Sequence, residues 1–140
     1  MTQTAHKPPT PSCLAIILCE ETYKLEGCNN LVIANTFHGI TCGSLPGVFP
    51  KITVLFTLTN GHGHYDIELS ISEAATENVI RRFTAEVTAD NPLQIADRIV
   101  SLRGVQFQSP GKHWVELRAN GELISQRPFM VSAFKRPDEP

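Results

Sequence analysis

Three residues of this sequence have types and a spacing suited to metal chemistry. His62, His64 and Glu68 follow the pattern His-x-His-x3-Glu, and alternate residues of a strand project to one side, so two imidazoles and a carboxylate can converge on one metal ion. The alternation of the neighbouring residues argues against a metal site, because Tyr65 and Ile67 are expected to face the core. His64 and Glu68 would then face solvent. We therefore interpret the segment as a solvated turn without a cofactor. Metal or small-molecule binding at His62, His64 and Glu68 is the alternative.

A nucleophile for covalent catalysis could be built from Cys42, with His38 as its base. Such a nucleophile needs an oriented base and an oxyanion-binding site, and the sequence indicates neither. It also lacks a Gly-x-Ser-x-Gly motif, a phosphate-binding loop and a dinucleotide-binding motif. We therefore expect that the protein is not an enzyme.

A tryptophan lies beside two charged residues on one side of a predicted strand. Trp114, Glu116 and Arg118 alternate with Val115 and Leu117, and the two apolar residues are expected to face the core. Protein interfaces are enriched in tryptophan and arginine. We therefore predict a protein-interaction or assembly module that binds another protein or a second copy of itself through this surface. The alternative is that a loop or tail of the same chain covers Trp114.

The elements that position these side chains are strands, of which two predicted hairpins have the clearest pattern. In both, apolar and polar residues alternate on either side of a glycine-containing turn, which is typical of a β-hairpin. The first comprises residues 52–58 and 65–71 around the turn 60–63, and the second comprises residues 114–118 and 123–131 around a type I′ turn at Asn120-Gly121. The alternation predicts these core residues: Phe56, Leu58, Ile67, Leu69, Val115 and Leu117.

Weaker strand patterns cover residues 13–20, 30–36, 79–87 and 95–102. The last segment could instead be a helix capped by Asn91-Pro92, but its β-branched residues and flanking turns favour a strand. Seven to eight short strands separated by turns predict an all-β fold, an antiparallel Ig-like β-sandwich with one core.

Length and composition indicate a single soluble domain at residues 13–134. The chain has 140 residues, which is too short for two independent cores. Proline-rich, unpatterned segments at 1–12 and 135–140 are expected to be flexible tails. The net charge of −2 gives no electrostatic reason to expect nucleic acid or an anionic membrane as a partner.

Four cysteines lie in the first third of the chain, at Cys13, Cys19, Cys28 and Cys42, with spacings that match no standard zinc motif. The longest apolar run, 14–19, is far shorter than the roughly 20 residues of a membrane span, and no small-residue cleavage site follows it. We therefore expect a cytoplasmic protein with reduced thiols. Cys13 and Cys19 share parity on one strand, so both can lie in a core as small hydrophobic residues.

Several turns and strands together resemble a known family. The opening has a Gly-Cys-Asn-Asn turn at 27–30 that precedes Phe37-His38-Gly39, and the closing hairpin contains Pro110-Gly111, His113, Gly121-Glu122 and a Pro-Phe-x-Val strand ending at Val131. Over residues 14–131 the chain resembles an uncharacterised bacterial family of small β-sandwich proteins. Its members usually have tyrosine or phenylalanine where this chain has His113. The resemblance implies the fold and assigns no activity.

Overall fold

A computed structural model describes residues 8–134, which form nine strands in two packed sheets. No helix in that range is long and apolar enough to cross a membrane. The strands are β1 (Ser12–Lys24), β2 (Leu31–Thr36), β3 (Gly39–Cys42), β4 (Gly47–Thr59), β5 (Gly63–Glu73), β6 (Val79–Ala89), β7 (Ala96–Phe107), β8 (Gly111–Ala119) and β9 (Glu122–Ala133).

The two sheets differ in size and in strand direction. The four-stranded sheet has the order β2-β1-β4-β7 and is antiparallel, whereas the five-stranded sheet has the order β3-β9-β8-β5-β6 and is mixed, because β3 runs parallel to β9. The all-β prediction is confirmed, while the expected seven to eight antiparallel strands are corrected to nine in a partly mixed arrangement. The extra strand, β3, has only four residues, and its partner comes from the far end of the chain. No local pattern marks it.

The first predicted hairpin is wrong, since β4 and β5 lie in different sheets. Each strand has one apolar side, and these sides face each other across the core instead of lying next to each other in one sheet. The connection passes tightly over the end of the core: a Cβ at Gly61 would lie 3.2 Å from both Tyr65 and Ala89. A glycine turn between alternating strands is therefore compatible with a crossing between sheets as well as with a hairpin.

The second predicted hairpin is confirmed, because β8 and β9 pair antiparallel around Asn120-Gly121. Both turn residues have positive φ, 49° and 83°, as a type I′ turn requires. The strand interpretation of 95–102 is also confirmed, and β7 extends it to Phe107. Asn91, predicted as a possible helix cap, makes a turn in which its side chain accepts a hydrogen bond from the Leu93 amide at 2.9 Å.

The core lies between the inner faces of the two sheets. All six residues predicted for it from alternation belong to the buried apolar cluster. His113 also points inward, where its ring packs between Phe107 and Phe129 with centroids 5.3 and 5.5 Å away. Its Nδ1 donates to the Gly111 carbonyl at 3.0 Å, and its Nε2 has no hydrogen-bond partner among the described residues. The imidazole thus occupies a site suited to an aromatic ring.

The shared parity inferred for Cys13 and Cys19, which would allow both to lie in the core, does not hold in the structure. Cys13 packs against the core, but a register shift between Cys13 and Ala15 changes the strand parity. Cys19 consequently pairs with Thr53 on the outer face of the four-stranded sheet, where its neighbours bury it completely. All four cysteines are unpaired in the structure.

The predicted tails fall largely outside the described residues, namely at 1–7 and 135–140. Residues 8–11 precede β1, and Ser12 is its first residue. The Tyr65 hydroxyl donates to the Pro9 carbonyl at 2.5 Å, and the Thr10 hydroxyl donates to Glu122 at 2.9 Å. These hydrogen bonds connect the segment before β1 to the five-stranded sheet.

Candidate functional site

The outer face of the five-stranded sheet contains a groove with a volume of about 510 Å³. We call it the sheet groove. It contains the three residues predicted for an interface, which come from β8, together with side chains of the neighbouring strands β5 and β6. Its main residues are Glu68, Ser72, Arg82, Trp114, Glu116 and Arg118.

The groove follows from alternation and register. Along β8, buried residues alternate with partly exposed ones, so Trp114, Glu116 and Arg118 all point away from the core. The pairing of β5 with β8 places Ser72 opposite Trp114 and Ser70 opposite Glu116. Large side chains therefore stand beside small ones. Both serines face outward, yet Ser70 is only 3% and Ser72 only 4% exposed, since larger side chains surround them.

Hydrogen bonds and ion pairs hold the charged side chains of the groove in place. Glu116 accepts from Ser72 at one carboxylate oxygen and from Arg118 at the other, both at 2.9 Å. Arg82 forms an ion pair with Glu68. Both carboxylates and both guanidinium groups are thus already oriented, and the surface can recognise a polar partner with little reordering.

Trp114 is half-buried on the outer face, as the alternation predicts. The Lys112 ammonium lies 4.2 Å from the centroid of its ring, within the range of a cation–π contact. Lys112 was not among the residues predicted from sequence, although it precedes Trp114 by two positions and therefore shares its face. Arg82 was also missed, because it comes from β6 and only the strand pairing places it next to Glu68.

The residues of the predicted metal motif are separated in the structure. His62 is exposed in the loop before β5, where its backbone amide donates to the Tyr65 hydroxyl at 2.9 Å. Glu68 is paired with Arg82 in the sheet groove. Ligand atoms of His64, Asp66 and Glu86 instead lie within 4.8 Å of one another.

This cluster, which we call the His64 cluster, is built across strands. Asp66 lies opposite Glu86, and His64 lies opposite Thr88 in the next pair on the same face. The Nδ1 atom of His64 is 3.0 Å from the Thr88 hydroxyl, and its Nε2 is 3.4 Å from Glu86. Nothing in the sequence spacing could reveal this set, since Glu86 reaches it only through the pairing of β5 with β6.

Cys42 and His38 do not form a catalytic pair. The Cys42 side chain belongs to the core cluster, whereas His38 is exposed and contacts Arg127 through its Nδ1 atom at 2.6 Å. Burial raises the pKa of the Cys42 thiol, which lowers its thiolate fraction and therefore its nucleophilicity at neutral pH.

Comparisons with known proteins agree with this fold. Residues 14–132 match the model of a family of unknown function, DUF6941, and the chain belongs to that family. No curated protein matches the chain in sequence. Among solved structures, it is similar to the Pseudomonas fluorescens alkylpurine DNA glycosylase AlkC bound to DNA containing an abasic site analog, with a TM-score of 0.54 and 13% identity over 89% of this chain.

The similarity to the glycosylase concerns the fold alone. The matched part covers 31% of the glycosylase chain, so this chain spans about a third of that protein.

Proposed function

We propose that this chain is a non-enzymatic protein-interaction module that binds its partner through the sheet groove. The observation that carries the proposal is the convergence of Trp114, Glu116 and Arg118 with charged residues of two neighbouring strands on one concave surface. Tryptophan and arginine contribute a large share of binding energy at protein interfaces when a partner excludes water from them.

The charges of the groove favour a polar protein segment over nucleic acid. Its lining contains four acidic residues, Glu68, Glu73, Glu77 and Glu116, against the two arginines Arg82 and Arg118. Binding to nucleic acid requires an excess of cations facing the phosphates. A polypeptide of mixed charge can instead pair with both signs and pack an apolar side chain against Trp114.

A capture experiment with matched variants tests this proposal. Trp114→Ala is compared with Tyr23→Ala, which removes an aromatic ring that is 56% exposed on the other sheet. Tagged proteins are returned to the source cells, and captured proteins are quantified by mass spectrometry. We expect a reproducible partner that the wild type and Tyr23→Ala retain, and whose affinity for Trp114→Ala falls about 30-fold or more, as expected of a hot spot.

Thermal melting accompanies the capture experiment, because loss of Trp114 should leave the isolated domain folded. If Trp114→Ala unfolds, Arg118→Glu replaces it as the groove variant. Equal capture by the groove variants and by Tyr23→Ala would rule out the groove as the binding surface.

A second candidate function, metal binding, is favoured by the His64 cluster. The combination of one imidazole with two carboxylates suits a divalent transition metal, and the Thr88 hydroxyl is placed to orient the His64 ring. Calorimetric titration with Zn²⁺ tests it with an internal control. His64→Ala should abolish binding, whereas His62→Ala should not change it. Equal affinity of the wild type and His64→Ala would exclude this site.

The proposal extends to the finer fold class and to the location of the protein. An Ig-like sandwich is supported by two packed sheets joined by crossing connections, and an experimental structure would test its strand connections. A cytoplasmic location is supported by four unpaired cysteines, and cell fractionation would test it.

A further inference from the structure

The β6 strand forms one edge of the five-stranded sheet. It has eleven residues, and within residues 8–134 only β5 pairs with it. Most of its residues are exposed, including Val79 at 46% and Phe83 at 39%. A long edge with apolar side chains is a template for pairing with another strand.

We infer that the β6 edge pairs antiparallel with β6 of a second copy of this chain, about a two-fold axis at Thr84. This register places Arg82 of one copy opposite Glu86 of the other, and Phe83 opposite Ala85. The symmetry repeats each pair, so the contact is self-complementary, as a two-fold interface must be.

Charge complementarity selects this register. Arg82 and Glu86 pair within the sheet with Ser70 and Asp66, so both lie on its outer face. Their side chains are 58% and 73% exposed. Moving the axis by one residue would place Arg82 opposite Thr84 or Thr88 and lose both interchain ion pairs. Opposite charges that face each other across antiparallel strands stabilise the pairing, and like charges oppose it.

Phe83 provides the apolar part of the contact. It pairs with Leu69 and therefore lies on the inner face of the sheet, at its open side. In the proposed register, the small side chain of Ala85 in the second copy leaves room for the Phe83 ring. The two Phe83 rings become diagonal neighbours, a position within reach of aromatic side chains.

Arg81 does not block the approach of a second copy. It lies on the same inner face as Phe83, and its guanidinium donates to the Arg103 carbonyl of β7 at 3.2 Å. The charge is thereby held against the other sheet of its own copy. The resulting dimer contains a continuous ten-stranded sheet, with both sheet grooves on the same face.

Sedimentation across a concentration series tests the charge pairing. Arg82→Glu and Glu86→Arg should each weaken dimerisation about tenfold or more, because each places like charges opposite each other twice. The double variant Arg82→Glu/Glu86→Arg should restore it, although the carboxylate introduced at position 82 would then face Glu68 within its own chain. Arg98→Glu, on the edge strand β7, is the matched control and should dimerise like the wild type.

EDTA is present throughout the sedimentation series, so that a metal bridge through Glu86 cannot produce the dimer. Trp114→Ala should also dimerise normally, which separates this inference from the proposed function. A wild type that stays monomeric up to about 1 mM, where affinity would be negligible, overturns the inference. So does a double variant that remains as weak as the single ones.

Disulfide trapping tests the register independently of charge. Two residues directly opposite in an antiparallel pair have Cα atoms about 4.5–5.5 Å apart, within the range that a disulfide can bridge. Thr84→Cys in a Cys28→Ser background should therefore form a covalent dimer under mild oxidation. Arg98→Cys in the same background is the control and should not. Failure of Thr84→Cys to cross-link would overturn the register.

Discussion

The outer faces of the two sheets differ in the chemistry of their central rows. On the four-stranded sheet, Ile17, Leu55 and Ile99 form a row across three neighbouring strands. On the five-stranded sheet, Glu68 lies opposite Arg118 in the sheet groove. The first face therefore has an apolar row, whereas the second has oriented charges.

The comparison teaches that low exposure has two origins in this protein. Leu69 is 1% exposed because the opposite sheet covers it, whereas Leu55 is 6% exposed on an outer face. Leu55 lies outside the core cluster, although it is buried. Ser70 is buried in the same way in the groove, at 3%. A buried residue of a sandwich is therefore not always a core residue.

The largest expected effect distinguishes these two kinds of burial. Leu69→Ala should lower the free energy of unfolding by about 2–5 kcal/mol, since it leaves a cavity between the sheets. Leu55→Ala should cost less than about 2 kcal/mol, because the site opens to solvent instead of forming an enclosed cavity. Urea denaturation of both variants provides the measurement. Equal losses would mean that another element covers the four-stranded face.

An intermediate effect concerns the Cys19 thiol on the outer face of the four-stranded sheet. Burial raises the pKa of Cys19, and the charge of Glu21 raises it further, whereas Cys28 is exposed. In the native protein at pH 8, Cys28 should be alkylated at least about tenfold faster than Cys19. Mass spectrometry of timed samples measures both rates, and all four thiols should react in denaturant. Similar native rates would contradict the burial of Cys19.

The raised pKa of Cys19 also has a consequence for stability. Burial keeps the Cys19 thiol protonated in the folded state, so the contribution of this group to the free energy of unfolding is fully present below the ordinary thiol pKa of 9.0. It is lost as the pH rises above 9.0 and the unfolded thiol ionises first. Cys19→Ser should therefore show a smaller loss of stability between pH 9 and 10 than the wild type, as measured by urea denaturation.

The smallest expected effect concerns an ion pair at the end of the four-stranded face. Lys51 lies 2.6 Å from Glu21 and lowers the pKa of that carboxyl group below its ordinary value of 4.5. Lys51→Met should raise the pKa of Glu21 towards 4.5, as followed by NMR titration. The ion pair stabilises the folded protein above the pKa that Glu21 has in the unfolded chain. This stabilisation is lost as the pH falls through the lower pKa of the folded state. An unchanged pKa would show that Lys51 is not the cause.

The local sequence pattern predicted the structure correctly wherever the conformation of one strand or one tight turn decided it. The alternation around Leu69 and Leu117 correctly predicted which sides face the core. Asn120-Gly121 correctly predicted a hairpin, because only a few residues tolerate two successive positive φ angles. The same alternation also placed Trp114 on an outer face.

The local sequence pattern failed to predict the structure wherever pairing between distant segments decided it. The glycine turn at 60–63 gave no indication that β4 and β5 enter different sheets, since both choices bury the same apolar sides. The His64 cluster and the Arg82–Glu68 ion pair could not be predicted from the sequence for a related reason. They depend on the pairing of β5 with β6, and spacing along one strand does not encode it.

The sequence by itself determined eight of the nine strands, the sides of those around Leu69 and Leu117 that face the core, and the closing hairpin. These depend on interactions among residues close in the chain, where steric preference and side-chain alternation are decisive. Only the tertiary structure decided the order of the strands and the composition of the groove. Charged residues on an exposed face are compatible with many neighbours, and the strand register alone brings Glu68 next to Arg82 and Ser72 next to Glu116.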